Sequence, residues 1–110
     1  MKRYLVALSL GAALFVPVRA QDAANAESGK KLFFKNGCYE CHGTVGQGGT
    51  GPRLAPKPLA AAALTAYVRK PGNGMPPYSA KVMTDAEVAD IRAYLATLPE
   101  PPQDLPLLKP

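Results

Sequence analysis

The chain has 110 residues and a formal net charge of +5 at pH 7. Three of its basic residues, Lys2, Arg3 and Arg19, lie in the first 20 positions, and without them ten basic residues remain against eight acidic ones. A remainder of +2, with no basic patch interleaved with aromatic residues, excludes a nucleic-acid-binding protein. The length allows one small domain at most.

The first 20 residues have the composition of a signal peptide. Lys2 and Arg3 form a positive start, residues 5–16 are an uncharged and mostly apolar run, and short residues lead up to Ala20. A membrane anchor is the alternative, but a span needs about 20 predominantly apolar residues, and this run is shorter and is followed by Pro17. We therefore expect cleavage after Ala20 and export to the periplasm.

The first helix of the mature chain is predicted from residue 27 or 28 to residue 36. Gly29, Leu32 and Phe33 fall on one face, at the i, i+3 and i+4 positions of a helix. Gly37 follows where a C′ glycine ends a helix.

The second helix is predicted over residues 59–70. Pro58 suits its first turn, the alanine run has high helix propensity, and Tyr67 and Val68 contribute to an apolar face. Pro71 ends it.

The third helix has the clearest signals. Thr84 and Glu87 form a capping box, and Pro99 marks the end of the helix. A core-facing stripe recurs through it: Val88, Ile91, Leu95 and Leu98. Residues 99–110 contain five prolines and are typical of an extended or disordered tail. The sequence thus predicts an all-α domain over residues 21–98, between a leader at 1–20 and the tail at 99–110.

The motif Cys38-Tyr39-Glu40-Cys41-His42 carries the chemistry. Two thiols three residues apart can each add to a vinyl group of a haem, and the next residue brings an imidazole to the iron. The spacing predicts one haem c, covalently attached through Cys38 and Cys41 and ligated by His42. Export agrees with this prediction because the attachment chemistry belongs to compartments outside the cytosol.

Three other interpretations of the motif are weaker. A disulfide between Cys38 and Cys41 would close a small, strained loop that stabilises little. A thioredoxin-like redox pair needs a βαβ context, and the sequence has no strand pattern. A zinc site needs a fourth ligand, and the chain has no third cysteine and no second histidine.

The sixth iron position must be filled by a methionine if it is filled from this chain, because His42 is the only histidine. Met75 lies in a loop rich in glycine and proline, which can carry a thioether to the haem. Met83 precedes Thr84 and is suited to pack against Val88 as a hydrophobic staple. We expect Met75 to be the ligand, with Met83 as the alternative.

The order of these motifs resembles class I monohaem cytochrome c over residues 28–98. The matching segments are Gly29-x-x-x-Phe33, Cys-x-x-Cys-His, Gly51-Pro52-Arg53-Leu54, Met75-Pro76 and a closing helix with Ile91 and Tyr94. The resemblance implies the small cytochrome c fold, with three main helices and irregular loops around the haem.

The resemblance also implies two specific contacts. In that family the first and last helices cross closely, so Gly29 and Phe33 would meet Ile91 and Tyr94. The family uses a proline carbonyl to accept the Nδ1–H of the haem histidine, and here that would be Pro52. Because tryptophan is absent, the haem propionates would be bound by Tyr78, Tyr67, Arg53 or a backbone amide.

The loop around Tyr67, Arg69, Pro71 and Met75 looks more like short bacterial cytochromes, including electron-accepting subunits of periplasmic dehydrogenases. The resemblance therefore implies a one-electron carrier with His/Met ligation rather than an enzyme. Its expected partners are a dehydrogenase as donor and an oxidase or another cytochrome as acceptor. An obligate dehydrogenase subunit and a haem protein with an open sixth site remain as alternatives.

Overall fold

A computed structural model describes residues 24–100 of the chain. The predicted signal peptide and the part of the tail beyond residue 100 lie outside this range. The described part consists of helices and loops without a strand, which confirms the predicted all-α class. The helices are α1 (Ala26–Lys35), α2 (Cys38–His42), α3 (Ala61–Arg69) and α4 (Asp85–Thr97). None of those helices has the length and apolar character needed to cross a membrane.

Helix α1 begins and ends close to where its sequence predicts. The Asn25 side chain caps the first turn by accepting a hydrogen bond from the Ser28 amide, at 3.0 Å. At the other end Gly37 has a φ of 73°, the left-handed conformation of a C′ glycine. The chain therefore turns sharply just before the Cys-x-x-Cys-His motif.

Helices α1 and α4 share the most extensive helix–helix contact of the described chain. Gly29 is buried, and a Cβ at this position would overlap the Asp90 carbonyl and lie 2.8 Å from the Ile91 nitrogen. Beside this crossing the Phe33 and Tyr94 rings pack with centroids 5.6 Å apart. The predicted meeting of Gly29 and Phe33 with Ile91 and Tyr94 is confirmed.

The capping box of α4 is also confirmed. The Thr84 hydroxyl accepts from the Glu87 amide at 3.2 Å, and the Glu87 carboxylate accepts from the Thr84 amide at 2.8 Å. Met83 and Val88 flank the cap and are both fully buried, as expected for a hydrophobic staple. The cap thus fixes the point at which the second loop enters α4.

Helix α3 begins at Ala61, two residues later than predicted. The Arg92 Nε donates to the Leu59 carbonyl at 2.8 Å, so a side chain of α4 holds the segment ahead of α3. Helix α2 was not predicted as an element. It is a single short helix, bounded by Gly37 and by Gly43, which has a φ of 82°.

The core lies between α1, α3 and α4 and includes two loop residues, Ala55 and Met83. Its members are Phe33, Ala55, Leu64, Val68, Met83, Val88, Ile91, Tyr94 and Leu95. Three residues of the predicted α4 stripe are buried in it, and Leu98 packs against it from the edge. One side of this core forms the wall of a large cavity.

Candidate functional site

The cavity has a volume of about 860 Å³, within the range of about 300–1,000 Å³ that is usual for cofactor sites. All of the predicted site residues line it: Cys38, Cys41, His42, Pro52 and Met75. Most of the remaining wall is apolar, contributed by Phe33, Leu54, Leu64, Val68, Ile91 and Leu95. The fold therefore brings two distant loops and the motif of α2 to one apolar chamber.

Helix α2 sets the mutual arrangement of the motif residues. Cys38, Cys41 and His42 stand at i, i+3 and i+4, so they lie on the same side of a helical turn. The Gly43 amide donates to the Tyr39 carbonyl at 2.9 Å and closes this turn. One short helix thus presents both thiols and the imidazole to the cavity.

The His42 ring is held in place by a contact at its Nδ1 atom. The side chain is 7% exposed, and its Nδ1 lies 2.8 Å from the Pro52 carbonyl oxygen. A carbonyl only accepts, so Nδ1 carries a proton, and in the neutral ring Nε2 then keeps its lone pair. A Cβ at position 51 would lie 2.8 Å from the ring Cε1, so Gly51 lets the loop approach this closely. The imidazole therefore has the tautomer that suits metal binding through Nε2.

The two thiols have different surroundings. Cys38 is half-buried and Cys41 is exposed, and they are not joined by a disulfide. Burial raises the pKa of the Cys38 thiol to about 11, and a backbone hydrogen bond only partly opposes this. Before a cofactor is attached, burial therefore favours the protonated form of the Cys38 thiol at the cavity wall.

The loop that carries Met75 is ordered by a tight turn. The Met75 amide donates to the Gly72 carbonyl at 3.2 Å, and the two residues between them, Asn73 and Gly74, have φ values of 54° and 80°. Positive φ at both central positions is the requirement of a type I′ turn. Pro76 then restricts Met75 itself to an extended conformation. The Met75 backbone is consequently fixed on both sides.

The second methionine has a different setting. Met83 also lines the cavity, but it is fully buried in the core beside the cap of α4. Met75 is half-buried and packs against the edge of that core from its loop. Of the two thioethers, Met75 is thus the less embedded.

The residues predicted to bind propionates all line the cavity, and two have protein partners. The Tyr78 hydroxyl donates to the Asn36 carbonyl at 2.7 Å, and Arg53 pairs with Glu100 at 3.1 Å. Tyr67 is exposed at the cavity. Asn36 lies 42 residues from Tyr78, and no local sequence signal indicates that the two meet.

The chemistry of these donors fits a covalently attached haem. An apolar chamber suits a porphyrin, two thiols suit its vinyl groups, and an imidazole with a thioether is an established axial pair for iron. Over residues 24–100, no group of three or more His, Cys, Asp or Glu side chains is clustered so as to hold a bare metal ion.

Comparison with known proteins gives one match. The family model described as "Cytochrome C oxidase, cbb3-type, subunit III" matches residues 24–95, which is more than half of the chain. No curated protein and no solved structure matches. The matched range contains all four helices except the last two residues of α4.

Proposed function

The chain belongs to the family described as "Cytochrome C oxidase, cbb3-type, subunit III", and on this premise we propose that it is a periplasmic one-electron carrier with His/Met axial ligation. The family membership confirms the resemblance to monohaem class I cytochrome c. Its cofactor is a covalently bound c-type haem, which the Cys-x-x-Cys-His motif fits. A protein of this type transfers electrons, and the haem supplies the one-electron chemistry.

Cys38 and Cys41 are proposed as the attachment residues. Their support is the single turn of α2, which sets both thiols and His42 on the same side at the cavity wall. Because both thiols and the imidazole belong to one turn, a haem attached through Cys38 and Cys41 would have His42 available as an iron ligand. The residues proposed for attachment and for axial ligation thus belong to one short helix.

His42 is proposed as the first axial ligand and Pro52 as the residue that orients it. The 2.8 Å contact between Nδ1 and the Pro52 carbonyl supports this proposal because it selects the tautomer and stops rotation of the ring. A hydrogen bond of this kind also raises the basicity of the imidazole as a metal ligand.

Met75 is proposed as the second axial ligand. The observation that carries the proposed function is that a thioether on a fixed backbone and the free Nε2 of His42 belong to the same apolar cavity. With both axial positions filled, the iron offers no site to oxygen, peroxide or substrate. This favours electron transfer over an enzyme or a ligand-binding haem protein, and thioether ligation favours reduced iron and a raised potential.

The test compares two methionine variants of the holoprotein. Met75→Ala should abolish the weak far-red band of oxidised thioether-ligated haem, lower the potential and admit added imidazole or cyanide. Met83→Ala should keep all three properties and lose only stability, by about 2–5 kcal/mol for a buried core truncation. The opposite result would move the ligand to Met83. Unaltered spectra in both variants would mean that neither methionine ligates the iron.

The partners are proposed from the resemblance and from the family. A dehydrogenase donor and an oxidase or cytochrome acceptor would meet the protein at an exposed edge of the haem. The exposed Leu59 and Tyr67 are apolar and aromatic side chains that line the cavity and remain accessible to a partner. Interfaces for this work are small, often below about 1,200 Å². The family description names an oxidase subunit, so stable membership of an oxidoreductase complex is the second candidate. Size-exclusion chromatography of a native periplasmic extract separates a free carrier from a bound subunit.

A further inference from the structure

Arg69 connects three separate segments of the chain. It lies in the last turn of α3, and its side chain is 21% exposed. Nη1 donates to the Tyr78 carbonyl at 3.0 Å, and Nη2 pairs with the Asp85 carboxylate. A single guanidinium therefore joins the end of α3, the loop that carries Met75 and the start of α4.

Tyr78 is held at two further points. Its amide donates to the Val68 carbonyl at 2.8 Å, and its hydroxyl donates to the Asn36 carbonyl at 2.7 Å. The Val68 carbonyl is one of the last four of α3, which have no partner within the helix. The Tyr78 amide is thus bound by the backbone at the end of α3, and the Tyr78 carbonyl is bound by the side chain of Arg69 in the same helix.

The charges of Arg69 and Asp85 suit the helix ends at which the two residues lie. Arg69 stands at the carboxyl end of α3 and Asp85 in the first turn of α4, where a cation and an anion respectively complement the helix dipoles. A guanidinium can bind the carbonyl and the carboxylate with separate nitrogens. The bond from Arg69 to the Tyr78 carbonyl is partly buried and charge-assisted. The Asp85 side chain is 77% exposed, so solvent weakens its pairing with Arg69.

The position of Tyr78 is transmitted to Met75 through a stiff link. Only Pro76 and Pro77 separate them, and a proline ring fixes φ at each of these positions. On the other side of Met75 stands the type I′ turn at Asn73 and Gly74. A shift of Tyr78 is therefore passed on to the Met75 backbone more directly than it would be through a flexible linker.

We propose that Arg69 is the positioning residue for the sixth iron ligand, acting on Met75 through the Tyr78 carbonyl. The inference rests on the proposed function, in which Met75 ligates the iron. Without the guanidinium, the loop detaches from α3 and α4 more often, and the thioether leaves the iron in those intervals. Arg69 therefore determines how often the sixth position is open.

The experiment uses the oxidised holoprotein with imidazole as the probe. Arg69→Gln should bind imidazole at least about tenfold faster, as expected from the loss of a charge-assisted hydrogen bond. The far-red thioether band should lose intensity, and the reduction potential should be lower than that of the wild type. Amide hydrogen exchange should speed up over residues 71–84 by a similar factor, with the peptides of α1 unchanged.

The matched control is Arg92→Gln. Arg92 also donates to a backbone carbonyl, that of Leu59 at 2.8 Å, but this carbonyl is not in the Met75 loop. The Arg92→Gln variant should keep the far-red band, the reduction potential and the rate of imidazole binding of the wild type. Arg69→Lys keeps the positive charge without the two-pronged donor, so its imidazole rate should stay raised. Full recovery by lysine would show that charge alone suffices and would overturn the positioning role.

Met75→Ala, measured in parallel, separates the two possible failures. If it retains the thioether band, the proposed ligand is wrong and the inference falls with it. If it loses the band while Arg69→Gln binds imidazole at the wild-type rate, the proposed function stands and the role of Arg69 is overturned.

Discussion

Replacement of Gly29 by alanine tests how closely α1 and α4 approach each other. In an isolated helix this change is favourable, because alanine exceeds glycine in helix propensity by about 1 kcal/mol. At the crossing, however, the added Cβ would overlap the Asp90 carbonyl and lie 2.8 Å from the Ile91 nitrogen. Local propensity and tertiary packing thus predict opposite signs for one methyl group.

The magnitude follows from which atoms must give way. Overpacking costs about 1–3 kcal/mol, and occasionally more. The obstructing atoms are helix backbone, which cannot rotate aside as a side chain can, so we take the upper figure of about 3 kcal/mol. After the gain of about 1 kcal/mol in propensity, Gly29→Ala should lower the free energy of unfolding by about 2 kcal/mol. For a domain of this size that corresponds to a fall in Tm of about 8–16 °C.

Thermal unfolding of the holoprotein, followed by circular dichroism, measures this effect. Gly72→Ala is the matched control, since the nearest atom to its added Cβ would be the Tyr67 hydroxyl oxygen at 3.9 Å. The control should stay within about 0.5 kcal/mol of wild type. A Tm for Gly29→Ala equal to or above that of wild type would refute the close crossing.

Gly74→Ala meets no atom within 4 Å but must adopt a φ of 80°, so it should weaken the turn before Met75 by about 1–2 kcal/mol. Imidazole affinity should rise while the haem stays attached, and an unchanged affinity would separate the turn from ligation. The double variant Cys38→Ala, Cys41→Ala should lose to acid–acetone the haem that wild type retains, and the remaining chain should be largely unfolded by circular dichroism. Haem held equally by both proteins would contradict covalent attachment. Leu105, Leu107 and Leu108 predict that the tail contacts the native donor. Truncation after Glu100, which keeps the Arg53–Glu100 pair, should then leave spectrum and potential unchanged but speed dissociation from that donor, and an unaltered off-rate would rule this contact out.

The parts of the fold that could be predicted from the sequence are those with local causes. Thr84 and Glu87 are three residues apart, and the capping box that they form depends only on their own turn. The same holds for Gly37, whose left-handed φ ends α1. Local interactions of this kind can be predicted without knowledge of the rest of the chain.

The errors have tertiary causes or concern elements too short for a pattern. The late start of α3 coincides with a hydrogen bond to the Leu59 carbonyl from Arg92, 33 residues away. Helix α2 has five residues, fewer than the window over which apolar periodicity can be read. Both features lie beside the site, since Leu59 and residues of α2 line the cavity.

The candidate site divides in the same way. The spacing of Cys38, Cys41 and His42 was sufficient to identify the chemistry because that chemistry is confined to one turn. The bonds of Tyr78 to Arg69 and Asn36 join residues 9 and 42 positions apart. Such contacts exist only once α1 and α3 have each packed against α4, so the sequence carries no pattern for them.

The pairing of α1 with α4 has a consequence for how the molecule is made. The Asn25 amide donates to the Asp90 carboxylate across 65 residues, so the main helix contact joins the two ends of the domain. A chain that emerges from its amino end, from a ribosome or through a membrane, has no partner for α1 until α4 follows. A lone helix of this length is marginal in water, and closing so long a loop costs entropy that only the docked pair recovers. Until α4 follows, we expect Phe33 to stay unburied and the motif of α2 to stay open to the machinery that attaches its cofactor. Folding of the domain thus depends on the arrival of α4 rather than on the growth of α1.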